Sequence, residues 1–118
     1  MSDPISSIST IDIETAKRRV MGDMDFLKEM LGEFHKSIPS FLETIQEALG
    51  NQDAALLSKT AHRLKGAALN LSVNRVAARA AALNELGNQE NYEKAEAVIR
   101  ELESDVLDFE GYLQKGLG

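Results

Sequence analysis

Apolar residues recur through most of the chain at spacings that alternate between three and four. Met24, Leu27, Leu31, Phe34, Ile38, Phe41, Ile45 and Ala48 form one such stripe, the buried seam of a long helix. Asp23, after Gly22, is the expected N-cap, and Gly50 marks the end. Pro39 falls inside the stripe. It lacks the amide that would bond the His35 carbonyl, and it disfavours helical geometry at Ile38. Because the stripe keeps its phase across Pro39, the pattern predicts one kinked helix, with two consecutive helices as the alternative.

The same reading divides the rest of the chain. Asp12 caps a short helix running to about Met21, with Ile11 and Ala16 placed as a hydrophobic staple. Asp53 opens a helix with Leu57, Ala61, Leu64, Ala68 and Leu71 on one face. Ser72 is the expected cap of the next, which carries Val73, Val76, Ala80 and Leu83 and stops at Gly87. Asn91 starts the last, with Ala95, Ile99, Leu102, Val106, Phe109 and Leu113 turned inward. No segment alternates as a strand would, and the short linkers make consecutive helices antiparallel. The alanine-rich stretch from Ala77 to Ala82 reads as close helix packing. The prediction is an all-α fold: an antiparallel four-helix bundle with a short extra N-terminal helix. It takes residues 1–118 as a single domain, with 1–10 and 116–118 flexible.

Composition narrows the chemistry. Four Phe, two Tyr and no Trp leave an aliphatic core. Nineteen acidic against thirteen basic residues give a net charge of −6, which argues against nucleic acid as the main ligand. The absence of cysteine removes disulfides, thiolate catalysis and thiolate metal sites. No apolar run reaches the ~18 residues of a membrane span, and Met1 to Thr10 lacks the basic and apolar regions of a signal peptide. A cytoplasmic protein without a membrane partner is expected.

One stretch is unusual: Ala61-His62-Arg63-Leu64-Lys65-Gly66-Ala67-Ala68. At ~100° per residue, His62 points about 140° away from the face centred on Leu57, Leu64 and Ala68, so it faces solvent on the second bundle helix. Lys65 and Gly66, at +3 and +4, are its neighbours on the helix surface. Glycine inside a helix costs about 1 kcal/mol relative to alanine, yet Ala67, Ala68 and Leu69 continue the helix. A side chain at 66 would lean back over His62; glycine leaves the imidazole open. Lys65 adds a mobile point charge suited to an anion. Ala55, Ser58 and Leu69 lie on the same outward side as a docking surround. A neutral imidazole keeps a nucleophilic lone pair, and in-line phosphoryl transfer needs an acceptor that stands clear of its own helix. Taken singly, an exposed histidine, a solvated lysine and a helical glycine are ordinary; their combination at this spacing is what suggests a phosphoryl acceptor. His35 has Ile38 and Pro39 at +3 and +4 and reads as structural or inert. No metal-ligand spacing, phosphate loop or nucleophile elbow is present.

The stretch 61–67 resembles the His-x-Leu-Lys-Gly-Ser/Ala signature of histidine-containing phosphotransfer (HPt) domains. The likeness extends loosely from Ile11-Asp12 to about Leu113, through Phe34, Pro39, Asp53, Leu83 and Gly87. The chain departs from the pattern at Ser72-Val73, where the family often has Gly-Ala, and at Asn84, where a glutamate often stands. The resemblance implies His62 as the residue phosphorylated, through Nε2, Lys65 as the electrostatic partner of the phosphoryl group, and Gly66 as the residue giving access. It implies a phosphocarrier without kinase activity of its own, binding no cofactor, with Mg²⁺ held by the partner. It also implies response-regulator receiver domains and a hybrid sensor kinase as partners, and a monomer. Two other readings stay open. One is a helical adaptor that docks on a receiver or other signalling protein without carrying phosphate. The other is the phosphoacceptor region of a histidine kinase, which would dimerise as a two-helix hairpin.

Overall fold

The computed structural model describes residues 3–116. Five α-helices follow one another: α1 (Ile13–Arg19), α2 (Met24–Gly50), α3 (Ala54–Asn70), α4 (Asn74–Asn88) and α5 (Tyr92–Lys115), preceded by a short 3₁₀ turn, Pro4–Ser7. Helices α2 to α5 form the bundle, and no strand occurs among the described residues. At ~1.5 Å per residue, α2 alone accounts for nearly all of the molecule's 42 Å long axis. The predicted stripes are the core. Leu27, Leu31, Ile45, Leu57, Leu64, Leu83, Leu102 and Phe109 are fully buried, and Phe34 meets Phe109 with ring centroids 5.7 Å apart.

Asp12, Asp23, Asp53 and Asn91 all cap as expected, each side chain accepting from the amide three residues on. Pro39 lies within a single α2, so the expected one helix forms and the two-helix alternative does not. The turns after α2, α3 and α4 share one design. The N–H groups of Asp53, Val73 and Asn91 reach back to the carbonyls of Ala48, Ala68 and Leu86. The residues before them, Gln52, Ser72 and Glu90, take left-handed φ of 50°, 57° and 54°. These are Schellman closures whose last residue also begins the next helix.

That design corrects two expectations. Ser72 does not cap α4. It is buried in the left-handed position, its carbonyl accepts the Asp12 N–H, and Val73 holds the N-cap position of α4 with no side-chain cap bond. Gly87 does not end α4 either, because the helix continues through Asn88. A Cβ at 87 would lie 3.2 Å from the Ser58 backbone nitrogen, so this glycine is what lets α4 approach α3.

The N-terminal segment also differs from expectation. Residues 3–10, expected to be flexible, take a defined course against α4. Asp3 caps the 3₁₀ turn and pairs with Arg79, Arg75 Nε donates to the Ile8 carbonyl at 2.8 Å, and Thr10 is buried. Gly116 follows α5 as its C-cap. Residues 1, 2, 117 and 118, also expected to be flexible, lie outside the described residues.

Candidate functional site

The inward face of α3 is set by Leu57, Ala61, Leu64 and Ala68, all fully buried against the neighbouring helices. Fixing that face fixes the opposite one. His62 is exposed, and no hydrogen-bond partner holds its ring among the described residues. Lys65 is half-buried and forms no ion pair there. Gly66 is exposed, lies inside the helix, and a Cβ added to it would meet nothing within 4 Å. Neither a close helix approach nor a left-handed backbone therefore requires glycine at 66. What glycine leaves uncovered there is the surface over His62.

Of the surrounding residues, Ala55 and Leu69 are exposed, the latter at 44%. Ser58 is half-buried, and its hydroxyl hydrogen-bonds with the side chains of Asn84 and Asn88 on α4. The Leu69 carbonyl accepts a hydrogen bond from Arg19, which ties α1 to the last turn of α3. A cation at a helix C-terminus complements the helix dipole. The stripe Ala55, Ser58, His62, Gly66 and Leu69 is thus one continuous outer face. Sequence reasoning passed over two cations beside it, Lys59 and Arg63, both exposed.

The second histidine is held quite differently. His35 is half-buried between α2 and α5, with Nε2 3.1 Å from Glu110 Oε1 and its ring edge-on to Phe109. It binds across to α5; it does not serve the carbonyl that Pro39 frees. No group of three potential metal-ligating side chains occurs among the described residues. No described helix is long and apolar enough to cross a membrane.

An exposed imidazole, a lysine one turn on and a glycine that packing does not require thus share one outer face of α3. The sequence model of the Hpt domain matches residues 29–111 of this chain. The chain belongs to the Hpt family. It is a histidine phosphotransfer protein of a phosphorelay. A crystal structure of histidine-containing phosphotransfer protein B (HptB) from Pseudomonas aeruginosa PAO1 superposes with a TM-score of 0.79. That match has 23% sequence identity and covers 93% of this chain and 99% of the other, a likeness of fold. A comparison with curated proteins finds no match.

Gly66→Gln should raise stability by about 0.5–1 kcal/mol, since it replaces a mid-helix glycine where a side chain has open space. The same change should slow phosphoryl transfer by roughly tenfold or more, because the new side chain shields His62. Thermal melts and transfer rates on one preparation check both halves, and a variant equally fast and more stable would refute the role given to Gly66.

Proposed function

We propose that His62 is the residue that carries the phosphoryl group, taken from an aspartyl phosphate on one receiver domain and delivered to an aspartate on another. The single observation that carries this reading is the unpartnered, exposed imidazole of His62 beside Gly66. In the forward step a ring nitrogen lone pair attacks phosphorus. The new N–P bond forms as the acyl P–O bond breaks, and the aspartate carboxylate leaves with its electron pair. The second ring nitrogen keeps its proton while the phosphoryl group is transferred. The bundle contributes position and exposure, and the Lys65 ammonium swings onto the phosphoryl oxygens as charge redistributes among them. Magnesium belongs to the receiver in this scheme, and this chain binds no cofactor of its own. Ala55, Ser58 and Leu69 form the contact surface around the histidine, with Ser58 held by α4 so that it contributes shape more than a free hydroxyl. The chain acts as a monomer, and the receivers it serves include one attached to a hybrid sensor kinase. Such a carrier has no turnover of its own.

The test is to mix the purified chain with a receiver domain phosphorylated by acetyl phosphate. Label should appear on the chain as an acid-labile, base-stable phosphate, and it should not appear with ATP alone. Label that survives acid, or labelling by ATP without a partner, would overturn the proposal. Lys65→Ala should lower the transfer rate by about tenfold, the order of one lost charge-assisted contact to phosphate. Because Lys65 makes no ion pair among the described residues, the melting temperature should move by no more than a degree or two. A large drop in melting temperature would reassign Lys65 to a structural role.

A further inference from the structure

The N-terminal segment is fastened to the bundle mainly by polar contacts. No residue of Pro4–Ser7 is buried, and Ile5 and Ile8 are half-buried; full burial starts at Thr10 and Ile11. Ahead of these two, the Ile8 carbonyl accepts from Arg75, the Ser6 hydroxyl accepts from Arg79, and Asp3 pairs with Arg79. Apolar burial thus anchors the segment at its C-terminal end alone. A stretch held in this way can open by itself, at far less cost than unfolding the domain.

The fastening at Arg79 carries excess negative charge. All five guanidinium N–H groups are spent, two on Asp105 and one each on Asp3, Glu101 and Ser6. Three carboxylates therefore meet one cation. Arg75 beside it offers no relief, because Asp108 and the Ile8 carbonyl already occupy it. Asp105 is buried in its two-pronged contact. Asp3 and Glu101 instead converge on the single nitrogen Nη1, within hydrogen-bonding reach of each other. Two carboxyls so close resist joint ionisation, and one proton between them turns repulsion into a hydrogen bond.

We propose that residues 3–8 are a strap that opens and closes on α4 and α5, latched at Arg79 by one proton shared between Asp3 and Glu101. Loss of that proton loosens the strap while the bundle stays folded. Opening frees Arg75 from the Ile8 carbonyl and widens a polar pocket of about 300 Å³ that Ser6 edges beside Arg79 and Asp105. The charged groups facing the latch are Arg75 and Arg79 from α4, Asp105 and Asp108 from α5, and Asp3 from the strap. Closure sets the guanidinium beside Asp3 and holds its carboxyl well below the usual range, while the Asp3 hydrogen bond and burial push Glu101 up. Asp3 therefore favours closure above its ordinary pKa, and that contribution fades as pH falls through its lowered one. Glu101 favours closure fully below its ordinary pKa, and that contribution fades as pH rises through its raised one. The strap is held most firmly in mildly acidic solution.

The experiment is NMR relaxation with carboxyl titration on the full chain, from about pH 5 to about pH 8. Backbone order parameters from Ile5 to Ile8 should stand near ~0.85 at the acidic end, level with α4 and α5, and fall towards ~0.6 at the alkaline end. The midpoint of that fall should coincide with the titration of the Glu101 carboxyl. Glu101→Gln places an amide that donates to Asp3 as the protonated acid does, so its strap should stay ordered throughout. Asp3→Asn keeps an oxygen for the Ile5 N–H but removes the charge. Its strap should be loose at every pH, and Glu101 should titrate lower than in the wild type. A wild-type strap equally ordered at both ends of the range overturns the proposal, as does a loosening that persists in Glu101→Gln. Order lost from α4 and α5 together with the strap also overturns it, because the event is then unfolding of the bundle and not an opening.

Discussion

His62→Gln should yield a folded protein that no longer takes up phosphate from a phosphorylated receiver. Glutamine fills a similar volume and can still hydrogen-bond, but its amide nitrogen has no nucleophilic lone pair. The loss should therefore be at least ~10⁴-fold, the scale seen when an essential nucleophile is removed. The fold should not register the change. His62 is exposed and bonds no other described residue, and surface substitutions of this kind stay within about 0.5 kcal/mol. His35→Gln supplies the contrast. It breaks the 3.1 Å contact with Glu110 and loosens the edge-on packing against Phe109, so it should cost stability modestly while leaving label uptake intact. Radiolabel transfer and thermal melts on the two variants separate the roles. Label on His62→Gln, or its absence from a folded His35→Gln, would move the acceptor to the other histidine.

The site was legible in the sequence because its logic is local. The angle between His62 and the core residues Leu57 and Leu64 follows from helix periodicity alone, as do the positions of Lys65 and Gly66 one turn on. The caps at Asp12, Asp23, Asp53 and Asn91 were legible for the same reason: each acts on an amide three residues away. What escaped was non-local. The closures after α2, α3 and α4 do not use glycine; Gln52, Ser72 and Glu90 take the left-handed position, so Gly87 near the end of α4 only looks like a stop signal. Its actual constraint, the Ser58 backbone across the interface, is invisible to any one-helix pattern. Residues 3–10 look like a polar tail until the arginines seventy positions away are brought to them. In sequence the acidic residues of α5 look like a solvated face, which holds for Glu96 and Glu103 but not for Asp105, 4% exposed.

Arg79→Ala has the largest expected effect on stability. The Arg79 side chain is 3% exposed and sits at the centre of a carboxylate cluster joining α4, α5 and the N-terminal segment. It donates to both oxygens of Asp105, at 2.7 and 3.3 Å, to Glu101 at 2.8 Å, and to Asp3. Its guanidinium holds the Asp3 carboxyl well below the usual carboxylate range, whereas the Asp3 contact and burial push Glu101 up. Removing the guanidinium leaves Asp105 buried and uncompensated, a defect of about 3–5 kcal/mol, against total stabilities of about 5–15 kcal/mol for such domains. The pH dependence has a definite sign. In the wild type, Asp3 stabilises the fold above its ordinary pKa and loses that contribution as pH falls through its lowered value. Glu101 acts oppositely, losing stability as pH rises through its raised one. Without Arg79 the carboxylates of Asp3 and Glu101 lose the cation that favours their charged forms, so the variant's deficit should shrink as pH falls from 7 towards the carboxylate range. Chemical denaturation at several pH values reads this directly. Arg79→Met combined with Asp105→Leu removes both buried charges and should recover most of the loss at pH 7, as apolar replacement of a buried pair commonly does. A deficit that does not vary with pH would mean that the arginine's packing, not its charge, holds the N-terminal segment and α5 together.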